Sequence, residues 1–140
     1  DYCDYPILFE WANDPITRKN SFNSDKIEIQ NHKEYIKEII KDKKITQYIF
    51  YVDDRPIGTI REKKLSNKEI ELSYTVSPNE RNKNIGSKMM MKFLEDRKGS
   101  FLCKIKQNNV PSIKMVERCG FKLSKVENKA AYYTLKLNNE

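Results

Sequence analysis

Tyr74-Thr75-Val76-Ser77-Pro78-Asn79-Glu80-Arg81-Asn82-Lys83-Asn84-Ile85-Gly86-Ser87 reads as the end of a strand, a polar loop and the start of a helix. Upstream, Ile70, Leu72, Tyr74 and Val76 alternate with Glu71, Ser73 and Thr75 over Glu69–Val76, the period of a strand. Downstream, Met89, Met90, Phe93 and Leu94 recur at helical spacing within Ser87–Lys98. A loop joining two such elements turns backbone N–H groups outward, and the helix start adds roughly half a positive charge. The stretch therefore predicts an anion cradle suited to a pyrophosphate. Gly86 lets a ligand approach the main chain, and Asn82 and Asn84 tolerate left-handed dihedrals. An ordinary strand–helix connection without a ligand is the competing reading of the same spacing.

Further upstream, Gln47–Val52 and Ile57–Lys63 are extended runs parted by a turn at Asp53–Pro56, and Ser66-Asn67-Lys68 forms the next turn. Gly58 inside this region marks a bulge or a close approach. Asp4 caps a short helix with an Ile7, Leu8 and Trp11 stripe, which Asn13-Asp14-Pro15 ends, and a polar stretch follows from Thr17 to Lys26. A second helix is expected from Asn31, with Glu34 closing a capping box and Tyr35, Ile36, Ile39 and Ile40 buried. On the other side come a strand at Phe101–Ile105, a helix at Pro111–Cys119, and a hairpin of Phe121–Val126 with Ala130–Leu137. Gly99 and Gly120 each follow helical periodicity, where left-handed caps occur. Strands joined by short turns pair antiparallel, whereas strand–helix–strand gives a right-handed parallel crossover. The expected class is mixed α/β: a six- to seven-stranded, mostly antiparallel sheet flanked by four helices.

At 140 residues the chain is long enough for one core and too short for two full domains. The net charge of +7 favours anionic partners, but lysines alternate with acids and no block of like charge suggests a nucleic-acid tract. Cys3, Cys103 and Cys119 lack metal or disulfide spacing, so neither metal nor disulfide framework is expected, which fits a reducing compartment. With no membrane span or signal peptide in view, the expectation is a cytoplasmic protein without membrane partners. A start at Asp1 reads as a trimmed chain or one domain of a longer polypeptide.

Arg81-Asn82-Lys83-Asn84-Ile85-Gly86 resembles the acyl-CoA-binding loop of the Gcn5-related N-acetyltransferase superfamily, Arg/Gln-x-x-Gly-x-Gly/Ala, with asparagine in the first glycine slot. Asn109-Val110-Pro111-Ser112 followed by Gly120-Phe121 is similar to its second signature, and the resemblance covers 47–137. It places the family's first strand before Asp1. The segment Trp11 to Ser24, with Ile27 and His32, resembles the branch that acetylates nucleotide-linked amino sugars for surface polysaccharides. Its shorter part, Trp11 to Arg18, is shared with ribosomal-protein N-terminal acetyltransferases.

The resemblance implies acetyl-CoA as cofactor and direct transfer to an amine. Thr75, Val76, Arg81, Asn82, Lys83, Asn84, Ile85, Gly86, Ser87, Asn109 and Ser112 would hold the cofactor. The parallel neighbour at Phe101–Ile105 should splay away near Val76, freeing the Val76 N–H for the thioester carbonyl. Tyr74 and Ser112 would supply polar or proton-donating groups. Arg18, a planar fork of donors, and His32 would hold the acceptor's diphosphate. A UDP-linked amino sugar, a fused or associated nucleotide-sugar hydrolase and a homodimer are the implied partners. Two positions depart from the pattern: Val116 stands where many relatives carry a tyrosine acid, and Ile70 where others carry a glutamate base, with Glu71 adjacent but on the opposite face. His32 as a plain helix residue, Arg18 as a surface cation, Trp11 as a core anchor and Met89–Met91 as packing are the bland readings. A protein N-terminal or small-amine acetyltransferase, a silent acyl-CoA binder and a nucleic-acid module are the functional alternatives.

Overall fold

The computed structural model describes residues 5–20, 29–81 and 84–137. Cys3, Asp4, Asn82, Lys83 and the 21–28 part of the branch-like segment lie outside them, as do the side chains of Asn20 and Ile39. The described order is α1 (Tyr5–Ala12), α2 (Pro15–Asn20), α3 (Ile29–Lys41), β1 (Ile45–Val52), β2 (Arg55–Lys64), β3 (Ile70–Val76), α4 (Ile85–Leu94), β4 (Gly99–Lys106), α5 (Val110–Arg118), β5 (Lys122–Glu127) and β6 (Ala130–Leu137). The six strands form one sheet ordered β1-β2-β3-β4-β6-β5, antiparallel except for the β3–β4 pair. The expected mixed sheet and its crossover are both present.

Turn chemistry sets the hairpins. Asp53 and Asp54 both take positive φ between β1 and β2, as do Asn128 and Lys129 between β5 and β6, the backbone that matches a twisted two-residue hairpin. Opposite Gly58 the β1–β2 register shifts between Phe50 and Tyr51. A Cβ on Gly58 would lie 2.7 Å from Met89 Sδ and 2.8 Å from the Thr75 carbonyl, so bulge and close approach coincide there. At the end of α5, Gly120 N–H bonds to Glu117 O and Phe121 N–H to Val116 O, with Gly120 at φ +98°, a left-handed cap.

Sheet alternation separates two layers. Ile60, Leu72 and Phe101 face α4 and α5, where they pack with Met89, Met90, Phe93, Met115 and Val116 in the main core. On the other face Ile45 and Ile49 of β1 meet Leu8 and Trp11 of α1 and Ile36 of α3. Trp11 is thus a core anchor, and Met89 and Met90 are packing while Met91 is exposed.

Three expectations need correction. The polar stretch after Pro15 contains α2, because the Asp14 carboxylate accepts from the N–H groups of Ile16 and Thr17, both at 3.1 Å, and so starts a helix as well as ending one. Helix α3 starts at Ile29, which puts Asn31 inside it; its buried stripe is His32 and Ile36, whereas Tyr35 and Ile40 are exposed. Helix α4 stops at Leu94, since Glu95 leaves helical dihedrals and Asp96 turns left-handed. The helices therefore number five, not four, among the described residues.

Candidate active site

The parallel pair β3–β4 is registered only at Ile70–Phe101 and Glu71–Leu102, and beyond them the strands part. Ser77 N–H bonds to Ile57 O at 2.8 Å, which fixes the phase of the β2–β3 ladder. By alternation, the N–H groups of Tyr74 and Val76 then point away from β2 into the widening gap. The expected divergence is therefore present, with the Val76 amide at its mouth. A cleft of about 1050 Å³ opens there, lined by residues of β2 to β4 and the ends of α4 and α5, with α1 to α3 on its far side.

Helix α4 begins where the cleft meets the loop. Asn84, at φ +58°, is its N-cap but makes no side-chain cap bond; its Oδ1 accepts from Arg118 Nη1 at 3.0 Å instead. The first N–H groups of α4 are therefore not met by the Asn84 side chain, an arrangement an anion fits. Ile85, Gly86 and the buried Ser87 lie in that first turn. A Cβ on Gly86 would meet nothing closer than 3.5 Å, so packing does not demand glycine there and the space it leaves belongs to the cleft. Arg81 is placed differently from a simple phosphate clamp. Its guanidinium bonds Asp14 Oδ2 at 2.6 Å and Thr17 Oγ1 at 3.0 Å, tying the cofactor loop to the α1–α2 corner. Burial works against the Asp14 charge, but Arg81 and the Thr17 and Ile16 amides outweigh it and hold the carboxyl below its usual range.

Tyr74, Ser112 and Asn109 meet on the α4–α5 side of the gap. Tyr74 Oη and Ser112 Oγ are 2.5 Å apart, and Asn109 Nδ2 donates to Ser112 Oγ at 3.0 Å while its Oδ1 accepts from the Ser112 amide at 3.4 Å, capping α5. Burial pushes the Tyr74 phenol up to about 12, even though the bond to Ser112 works the other way, so it keeps its proton near neutrality. Thr75 lines the opposite face of the same strand. Val116 is fully buried in the core and takes no part in the cleft, and Glu71 does not line it either.

Arg18 and His32 line the α1–α3 wall. His32 is buried against the rings of Phe9 and Tyr35, its Nδ1 has no hydrogen-bond partner among the described residues, and burial followed by the nearby Arg18 charge lowers its pKa. Several cleft residues went unread in the sequence. Lys114 and Arg118, four apart on α5, line the cleft, as do Arg61 and Lys104 of the sheet and Tyr35 of α3. Helical spacing linked the first two; nothing local linked Arg61 to Tyr35. Among the described residues no group of metal-ligating side chains gathers, and no helix is long and apolar enough to cross a membrane.

A parted parallel strand pair, an uncapped helix start beside it and a protonated hydroxyl pair at its edge define an acyl-CoA-binding fold. The acetyltransferase (GNAT) family model matches residues 6–121, and the chain belongs to that family, whose members are acetyl-CoA-dependent N-acyltransferases. No protein of curated function matches the sequence. Among solved structures, the chain is similar to a domain from Methanocaldococcus jannaschii, with 20% identity, TM-score 0.79 and coverage of 96% of this chain and 93% of that one. It is similar to the aminoglycoside acetyltransferase AAC(6')-Ib bound to ribostamycin and coenzyme A, with 16% identity, TM-score 0.83 and coverage of 96% and 89%. It is also similar to a ribosomal-protein-alanine N-acetyltransferase from Brucella melitensis, with 16% identity, TM-score 0.76 and coverage of 98% and 96%. At these identities the likeness establishes the shared fold.

Proposed function

We propose that this acetyltransferase acts on the amine of a nucleotide-linked amino sugar. The observation that carries the chemistry is the divergence of β3 and β4 after Glu71 and Leu102, with the Val76 N–H aimed into the gap. Bound acetyl-CoA supplies the acetyl thioester that the acceptor amine attacks. The start of α4, with Gly86 and the Asn84–Arg118 pair, holds the linked phosphates, and the main chain of Tyr74 to Val76 offers its free edge to the pantetheine arm. The Val76 N–H donates to the carbonyl oxygen as it gains charge. Asn109, Ser112 and Tyr74 hold a proton for the departing sulfur. Asn109 already donates to Ser112 Oγ, so the Ser112 and Tyr74 hydroxyls share one mutual bond and keep one O–H to donate.

Support for the sugar nucleotide comes from the wall opposite. Arg18 presents a fork of donors to a diphosphate, and His32 lies beside it. A neutral His32 contributes a hydrogen bond, and an arriving diphosphate would raise its pKa. The test is thiol release from acetyl-CoA with a panel of UDP-amino sugars and with peptides bearing free N-termini. Arg18→Ala should raise KM at least tenfold for the sugar nucleotide. Turnover of peptides alone, with a KM indifferent to Arg18→Ala, would overturn the sugar-nucleotide reading in favour of a protein N-terminal acetyltransferase.

A further inference from the structure

The acceptor side of the cleft is built on the sheet face that looks toward α1 and α3. Register places Thr59 and Arg61 of β2 beside Ser73 and Thr75 of β3 on that face, and Lys104 of β4 lines the same cleft. Arg61 is half-buried there. Its Nη1 donates to Tyr35 Oη and its Nη2 to Ser73 Oγ at 3.3 Å. Both partners are neutral hydroxyls, in contrast to Arg55, Arg81 and Arg97, each of which is paired with a carboxylate. Among the described residues the cleft lining holds a single carboxylate, Glu80, which sits at the cofactor loop with Arg55 Nε at 2.7 Å. A guanidinium steadied by two hydroxyls, with donors to spare and no carboxylate bonded to it among the described residues, is a receptor for an oxyanion.

We propose that Arg61 is a specificity-determining residue that grips an oxyanion carried by the acceptor, on the sheet floor and apart from the Arg18–His32 wall. The substrates are then amines that also bear a phosphate-class group, which the Arg61 guanidinium favours over amine-rich polycations. This rests on the acetyl-transfer reading and sharpens its acceptor. It sets the chain apart from its aminoglycoside-binding structural neighbour, whose ligands are such polycations.

The test is titration of the full chain, saturated with coenzyme A, with glucosamine, glucosamine 6-phosphate, UDP-glucosamine and kanamycin, using wild type, Arg61→Gln and Arg61→Lys. At least one phosphorylated amine should bind about 10- to 100-fold more tightly than glucosamine, and kanamycin should bind no better than glucosamine. Arg61→Gln should weaken binding of the phosphorylated amines at least tenfold without weakening that of glucosamine, and Arg61→Lys should recover part of the loss, with thermal stabilisation by coenzyme A unchanged. Preference for glucosamine 6-phosphate places the oxyanion on the sugar, and preference for UDP-glucosamine alone places it on the nucleotide; either supports the proposal. Binding of the phosphorylated amines that Arg61→Gln leaves unchanged, equal binding of glucosamine by wild type, or tight binding of kanamycin overturns it. Absence of any stabilisation of wild type by coenzyme A or acetyl-CoA overturns the acetyl-transfer reading instead, and this inference with it.

Discussion

Removing both hydroxyls at the edge of the strand gap, in a Tyr74→Phe/Ser112→Ala double variant, should cost far more than removing either one. Tyr74 Oη and Ser112 Oγ sit 2.5 Å apart, and Asn109 donates to the serine oxygen. Two O–H groups are present and one mutual bond uses one of them, so each single variant still retains an O–H to offer the departing sulfur. Each single variant should therefore lose about tenfold in kcat, whereas the double variant should lose the full contribution of a general acid, about 10²–10⁴-fold or roughly 3–5 kcal/mol. Thiol release under saturating acetyl-CoA measures this, with acceptor KM little changed. Thermal melting separates it from damage to the fold, because the two lost hydrogen bonds cost about 1 kcal/mol each and together several degrees in Tm. The pH profile adds an independent check. Because burial holds the Tyr74 phenol at about 12, wild-type kcat should not fall between pH 8 and 10 through loss of this proton. A double variant within threefold of wild type would refute the proton ledger, as would an alkaline limb below pH 10 that Tyr74→Phe abolishes.

Gly86→Ala should leave Tm unchanged or slightly raised, since its Cβ meets nothing within 3.5 Å and alanine favours a helix, yet weaken coenzyme A binding at least tenfold by calorimetry. Gly58→Ala should do the reverse, costing roughly 1–3 kcal/mol in denaturant melts because its Cβ would lie 2.8 Å from the Thr75 carbonyl. His32 has its pKa lowered in the fold, by burial and then by Arg18, so its contribution is complete above about pH 6.5 and is lost as pH falls through the lowered value; His32→Gln should flatten that acid limb in Tm measured against pH. Val116→Tyr, which restores a tyrosine at the position many relatives use, should overpack a fully buried site and lower Tm without rescuing the double variant's turnover.

Where local periodicity speaks for a segment, the structure follows it closely. Ile70, Leu72, Tyr74 and Val76 lie on one face of β3, and the two-residue turns fall at Asp53–Asp54 and Asn128–Lys129. The α1–α2 corner escaped because Asp14-Pro15 carries two signals at once: proline ends the helix before it, while the aspartate caps the helix after it. In α3 the apolar pattern points to Tyr35 and Ile40 beside Ile36, whereas His32 is buried with Ile36, since Tyr35 counts as apolar although its hydroxyl is bound to Arg61. The cofactor loop was legible because strand, loop and helix start are contiguous. The long-range pairs were not: Arg61–Tyr35 on the sheet floor joins residues 26 apart and Arg118–Asn84 at the start of α4 residues 34 apart, and such pairs exist only once the sheet has assembled.

Both halves of the site depend on the register of β3. Consecutive residues serve opposite faces, Tyr74 toward Ser112 on the α4–α5 side and Thr75 toward the acceptor floor with Arg61 and Ser73. A slip by one residue would put the phenol among the acceptor contacts and a threonine in the core, and would turn the Val76 amide toward β2. Register is held by the seven β2–β3 pairs from Gly58–Val76 to Lys64–Ile70, not by β4, which lets go after two pairs. At the Gly58–Val76 pair, Met89 of α4 sits so close to Gly58 that a Cβ there would lie 2.7 Å from its sulfur. The opening that admits the cofactor on one edge of β3 is thus compatible with an exact active centre because the other edge carries the whole burden of alignment.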